Sequence, residues 1–252
     1  MSYPVLVNQM SPHIKHKEMP LLAHLEEMRW VLIRGFCAVI ICAVPCGVFW
    51  RHIFEFADVW PLRLSDPIPE LIFTAPTDAV LFIFKIALTC GTVLASPFLL
   101  LQIWRFIASA LYKNEKAAII PIVAASTFCF LSGIAFCYFF SPLFLKFLTG
   151  LTGGLITPLF RANEYFGFLI RMCLIFGLVF EMPVVSFVLS RMGIINFRLM
   201  SRYFRHVIVI IFIASAILTP PDIMSLILMS LPLILFYGIS IFVSYTQQGR
   251  FL

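Results

Sequence analysis

The side chains that could do chemistry in this sequence are ionisable groups set inside or beside long apolar runs. Glu181, followed by Met182 and Pro183, lies well within an apolar run from Tyr165 to Leu189. An ionised carboxylate at the centre of a membrane helix costs about 2.5 to 3.5 kcal/mol on insertion scales. Glu181 must therefore be paired, protonated or turned toward a wet cavity. Lys85 and Arg171 are embedded in runs of their own and are candidate partners. Arg171, ten residues from Glu181, is not its neighbour on one helix face. Two further groups border apolar runs: Glu26 and Glu27 with Arg29, and Glu115 between Lys113 and Lys116. For the last two groups a merely solvated surface weighs equally with a functional role. Covalent and nucleotide-driven chemistry lacks its signatures. There is no phosphate loop, no HExxH metal pair and no GxSxG elbow. The chain reads as a non-enzyme without a cofactor or metal.

Any element that positions these groups must live in lipid. Of 252 residues, 62% are hydrophobic and only 12% charged, more apolar surface than one water-soluble domain can hide. The formal charge of +6 is spread between the apolar runs, not gathered into a nucleic-acid patch. All seven cysteines fall within apolar runs without a CxxC pair, as small buried hydrophobes do. A membrane helix needs about 20 mostly apolar residues. Val31–Phe49, Ala79–Leu101, Ala117–Phe140 and Tyr165–Leu189 meet that need. A shorter run, Val207–Leu218, is separated by Thr219-Pro220-Pro221-Asp222 from a last one, Ile223–Val243. The proline pair rules out one continuous helix there and predicts two short helices joined by a tight turn. Asp222 would fix that turn together with Pro220 and Pro221.

With the N-terminus inside, the inner basic residues are Lys15, Lys17, Arg29, Arg34, Arg105, Lys113, Lys116, Arg191, Arg198, Arg202, Arg205 and Arg250. Those twelve outvote the outer four, Arg51, Arg63, Lys146 and Arg161, under the positive-inside rule. Trp30, Trp50, Trp60 and Trp104 lie near run ends, where an aromatic belt is expected. Leu21, Leu22, Leu25, Met28 and Leu32 recur at helical spacing and predict an N-terminal amphipathic helix on the cytoplasmic surface. The expected fold is an all-α integral membrane protein with six transmembrane helices, the last two short. It forms a single membrane domain over residues 1–252 with both termini in the cytoplasm. No cleavage site follows a short apolar region, and no long Ser- and Arg-rich transit segment opens the chain, which favours a bacterial inner membrane.

Five stretches, taken in order, resemble the TatC family, the multispanning receptor subunit of the twin-arginine protein translocase. They are His24-Leu25-Glu26-Glu27-Met28-Arg29; Ser96-Pro97 with Gln102-Ile103-Trp104-Arg105-Phe106-Ile107; Ala110-Leu111-Tyr112-Lys113-Asn114-Glu115-Lys116; Phe176-Gly177 with Phe180-Glu181-Met182-Pro183; and Leu218-Thr219-Pro220-Pro221-Asp222. Ser109 and Leu226 depart from the family pattern, and neither removes a charge. The resemblance implies a concave helix bundle that binds signal peptides carrying two adjacent arginines and recruits single-span TatA- and TatB-type partners for export driven by the proton-motive force. It places signal binding on Glu27 and Glu115, with Arg29, Phe106, Leu111, Tyr112 and Lys116 around them. Glu181 falls on the family's intramembrane glutamate, a contact for partner helices. Guanidinium groups prefer bidentate carboxylates, so two glutamates suit an arginine pair. A rival reading is a secondary transporter with Lys85, Arg171 and Glu181 at a midplane site, although the paired interrupted helices common in transporters are not seen. A scaffold with merely solvated glutamates is a third.

Overall fold

A computed structural model describes residues 21–57, 70–109, 119–150, 159–218 and 223–248. Helix dominates because only helices satisfy every backbone group within a lipid-exposed segment. In chain order the elements are α1 (Leu21–Val48), α2 (Trp50–Ala57), β1 (Glu70–Ile72), α3 (Asp78–Ser109) and α4 (Ile119–Gly150). They continue with β2 (Leu159–Arg161), α5 (Ala162–Phe180), α6 (Met182–Arg191), α7 (Phe197–Arg202), α8 (Phe204–Leu218) and α9 (Ile223–Gln248). Among the described residues, five segments are long and apolar enough to cross a membrane, α5 and α6 together making one of them, and α8 is a shorter apolar helix. Ile41 is 72% exposed and Ile217 80%, which suits side chains solvated by lipid.

α1 and α3 pack antiparallel at close range. A Cβ added at Gly35 would lie 3.0 Å from Leu99 Cδ2, one at Gly47 3.3 Å from Ala87 Cβ, and one at Gly91 2.7 Å from the Ala43 backbone. Small residues at such crossings let backbones approach where lipid offers no hydrophobic drive between helices. Gly91→Val therefore lowers stability by about 1–3 kcal/mol through overpacking. The check is a lower thermal unfolding midpoint in detergent. Gly150→Ala, where an added Cβ meets nothing within 4 Å, leaves the midpoint in place.

α4 crosses α5 in the same way, since a Cβ on Gly133 would lie 2.7 Å from Phe176 O and one on Gly177 2.8 Å from the Phe130 ring. Farther along, α6 meets α9 through serines one turn apart on each helix. Ser186 Oγ donates to Ser240 O at 3.1 Å, and the Ser190 and Ser244 hydroxyls are 2.6 Å apart. α6 ends at Gly193, whose φ of +72° turns the chain, with Gly193 N–H bonded to Ser190 O and Ile194 N–H to Leu189 O.

Three features differ from the sequence-based expectation. The N-terminal amphipathic segment is not a separate surface helix; it forms the first turns of α1, since no proline or glycine interrupts the chain between Leu21 and Arg34. The last helix is not short, because α9 runs for 26 residues. Val243 ends the apolar run, but Ser244 is fully buried against Ser190, and that contact carries the helix onward. The third is a small strand pair, in which β1 and β2 lie parallel with Glu70 opposite Leu159 and Ile72 opposite Arg161. It ties together the starts of α3 and α5. There Asp78 Oδ2 accepts from the Thr74 and Ala75 N–H groups, and Asn163 Nδ2 reaches Asp78 Oδ1 at 3.3 Å.

Candidate functional site

Two sets of side chains stand at different depths of one bundle. The first lies at the end where α1 begins and α3 finishes. The contacts of Gly47 with Ala87, Gly91 with Ala43 and Gly35 with Leu99 keep a single antiparallel register. Continued for eight residues, just over two helical turns, that register brings Glu27 level with Ile107 and beside Phe106. Glu27 and Phe106 are half-buried, while Arg29 and Arg105 are exposed. One wall of α1 and one of α3 thus put a carboxylate, an aromatic ring and cationic side chains at a common height. Leu111, Tyr112, Glu115 and Lys116 lie outside the described residues, as do Pro220, Pro221 and Asp222.

The second set is built around Glu181. Pro183 has no N–H to continue the helix ladder, and the chain breaks there between α5 and α6. Glu181 N–H bonds to Leu178 O at 3.2 Å, a tightened turn, and α6 restarts with Val185 N–H on Glu181 O at 2.9 Å. The break leaves the Glu181 side chain only 7% exposed. Ser126 of α4 hydrogen-bonds its carboxyl group, and the indole Nε1 of Trp104 on α3 donates to Ser126 Oγ at 2.7 Å. Glu181 Oε1 has no partner among the described residues. A half-satisfied buried carboxyl is costly to the fold, so the free oxygen is a place for an outside donor such as water or a polar group of another helix. Beside it, Phe180 stacks on Phe236 of α9 with ring centroids 3.6 Å apart.

Sequence reasoning placed Trp104 in an aromatic belt and did not single out Ser126. Trp104 is 6% exposed and hydrogen-bonded, so it belongs to the interior and not to an aromatic belt; Trp30, 51% exposed, suits a belt position. The available signal was the pairing of a donor-only indole with a lone serine in two apolar runs, since a buried Trp N–H needs an acceptor. Lys85 and Arg171 do not pair with Glu181. Lys85 Nζ donates to Asn163 and Arg171 Nε to the Gly167 carbonyl, near the start of α5. The seven cysteines are free thiols, and Cys46 and Cys137 are buried. Among the described residues no group of three or more His, Cys, Asp or Glu side chains is placed to hold a metal ion.

Comparison with known proteins gives one family throughout. The model of the family described as Sec-independent protein translocase protein (TatC) matches residues 23–232. The Aquifex aeolicus protein named Sec-independent protein translocase protein TatC is 40% identical over 227 residues, covering 89% of this chain and 94% of the relative. A Helicobacter pylori protein of the same name is 36% identical, covering 88% and 87%. Among solved structures, the crystal structure of the twin-arginine translocase receptor TatC superposes with a TM-score of 0.82 at 38% identity, over 89% of this chain and 99% of that one.

Proposed function

The chain belongs to the TatC family of Sec-independent protein translocase proteins, and from that premise we propose how it works as the receptor subunit of a twin-arginine translocase. Glu27 and Glu115 bind the arginine pair of the signal peptide. Arg29, Phe106, Leu111, Tyr112 and Lys116 shape the surrounding pocket, and Lys116 holds Glu115. The observation that carries this reading is the α1–α3 register, which sets Glu27 level with the end of α3 immediately before residues 110–118. A guanidinium stays ionised and accepts a carboxylate in two parallel hydrogen bonds, so a receptor needs one acidic group for each arginine.

Glu181 gives the polar intramembrane contact for single-span TatA- and TatB-type partners. Its free Oε1 supports that role. So does the shortness of α8, whose 15 residues span about 22 Å against a hydrocarbon core of about 30 Å. A locally thinned bilayer beside it would ease passage of cargo. The chain is one membrane domain of the bacterial cytoplasmic membrane, and it works in an oligomeric complex with no covalent step of its own. Both termini face the cytoplasm. Arg191, Arg198, Arg202 and Arg205, around the α6–α8 connection, lie at the Glu27 end of the bundle and support that orientation. Pro220, Pro221 and Asp222 stand between α8 and α9 in the sequence.

The test is photo-crosslinking of a signal peptide to the protein in membranes that contain its partners. An Arg-Arg signal crosslinks, and a Lys-Lys signal does so about tenfold less, since a point charge replaces the bidentate fork. Equal crosslinking of the two signals would remove the receptor reading. Solute uptake by vesicles holding the protein alone would put a transporter in its place.

A further inference from the structure

Two cations of the membrane-spanning helices converge on one glycine. Lys85 of α3 donates through Nζ to Asn163 O at 3.0 Å and to Asn163 Oδ1 at 2.7 Å. The same ammonium stands over Gly167, where an added Cβ would lie 3.5 Å from Nζ. One helical turn on, Arg171 folds back and its Nε donates to the Gly167 carbonyl at 2.9 Å. Three cations, Lys85, Arg161 and Arg171, face two carboxylates here, Asp78 and Glu164, so one positive charge stands in excess. Asp78 accepts from Thr74, Ala75 and Asn163, and Glu164 pairs with Arg161 at 2.6 Å. Like charges brought together near low dielectric repel, so an anion seated between them relieves that penalty.

The space around the pair has the form of a particular anion. Between α3 and α5 lies a cavity of about 520 Å³ lined by the cations Lys85, Arg161 and Arg171, the carboxylates Asp78 and Glu164, and Asn163, together with threonine and apolar side chains. Thr89, Ile170 and Leu174 border it and also border a second cavity of about 790 Å³ among α1, α3, α4 and α5, whose walls are almost wholly apolar. A cationic mouth therefore adjoins an apolar groove. The depth agrees too. Lys85 is held by the second residue of α5, and Arg171 leads back along its helix toward the same end, so both charges are drawn toward the end of the bundle that is nearer one leaflet's phosphates. A helix about 10 Å across would fill the mouth in roughly one turn, whereas a phosphate with an acyl chain fits both spaces.

We propose that this is a binding site for an anionic phospholipid, its phosphate held between Lys85 and Arg171 and an acyl chain lying in the apolar groove. The full chain, purified in a non-ionic detergent, is titrated with phosphatidylglycerol or phosphatidylcholine and observed by native mass spectrometry. The protein retains phosphatidylglycerol in preference to phosphatidylcholine. Lys85→Gln combined with Arg171→Gln weakens that retention about tenfold, while Lys85→Arg combined with Arg171→Lys keeps it, which separates loss of charge from loss of fold. Inorganic phosphate at the lipid's concentration fails to displace it. Equal retention by wild type and the Gln pair, equal retention of the two lipids, or displacement by phosphate alone would each overturn the site. So would loss of a co-purifying single-span partner in the Gln pair with lipid retention unchanged, which would give the cations to a partner's carboxylate.

Discussion

Glu27→Ala lowers crosslinking of an Arg-Arg signal by one to two orders of magnitude, and Glu115→Ala does the same. Each substitution strips a guanidinium of charge-assisted hydrogen bonds worth about 1.5–3 kcal/mol, which is roughly ten- to a hundredfold in occupancy. Glu27 is half-buried where α1 runs beside α3, so its interaction escapes most of the screening that makes exposed ion pairs weak. Glu27→Gln keeps the shape of the side chain and loses the charge, and it falls nearly as far as alanine does. The more telling readout is the cycle with the signal. A Lys-Lys peptide, already weak on the wild type, loses much less on Glu27→Ala than the Arg-Arg peptide does, because the missing energy belongs to the pair. If Glu27→Ala held the Arg-Arg signal as tightly as wild type in a properly inserted protein, α1 would not be part of the binding surface.

What could be read in the sequence, and what could not, divides by the range of the interaction. Runs of about 20 apolar residues show helices that lie in lipid because that requirement is local. Glu181 stands out for the same reason, since a carboxylate inside such a run is costly wherever its neighbours are. Its network was hidden. Ser126 and Trp104 belong to other helices, and whether they face Glu181 depends on how α3, α4 and α5 are rotated against one another. The periodicity of a single apolar helix does not encode that rotation, because a helix apolar on every side has no marked inner face. The approach of Gly91 to Ala43 is of the same kind, visible only once α1 and α3 are set in register. The β1–β2 pair escaped because three-residue strands are too short to show alternation and their partners are far apart in sequence. The end of α9 was misread for a simpler reason. Ser244 and the polar residues after it look like the end of a span, yet a serine hydroxyl matched by Ser190 is fully at home between two helices.

Glu181→Leu separates stability from function in opposite directions. In the folded chain the carboxyl is buried, bonded by Ser126 on one side and without a partner at Oε1 on the other. Replacing a poorly compensated buried ionisable group with an apolar side chain of similar volume is commonly neutral or stabilising, by up to about 4 kcal/mol. The Leu variant therefore unfolds at the same temperature as wild type or a higher one. Transport falls about tenfold or more, because a partner helix loses the acceptor that its own polar group would meet in lipid. Glu181→Gln keeps one oxygen acceptor, for Ser126 or for a partner donor but not for both, so it keeps more transport than Leu. Trp104→Phe removes the indole donor to Ser126 and leaves Glu181 itself in place, so its effect is smaller than that of Leu. Transport assays with matched membrane insertion, read beside thermal midpoints, test the pattern. A Leu variant that transports normally but melts lower would make Glu181 a structural residue of the α5–α6 break. One that melts higher and transports poorly shows a carboxyl retained at the expense of the fold, for a contact made only when the partner arrives.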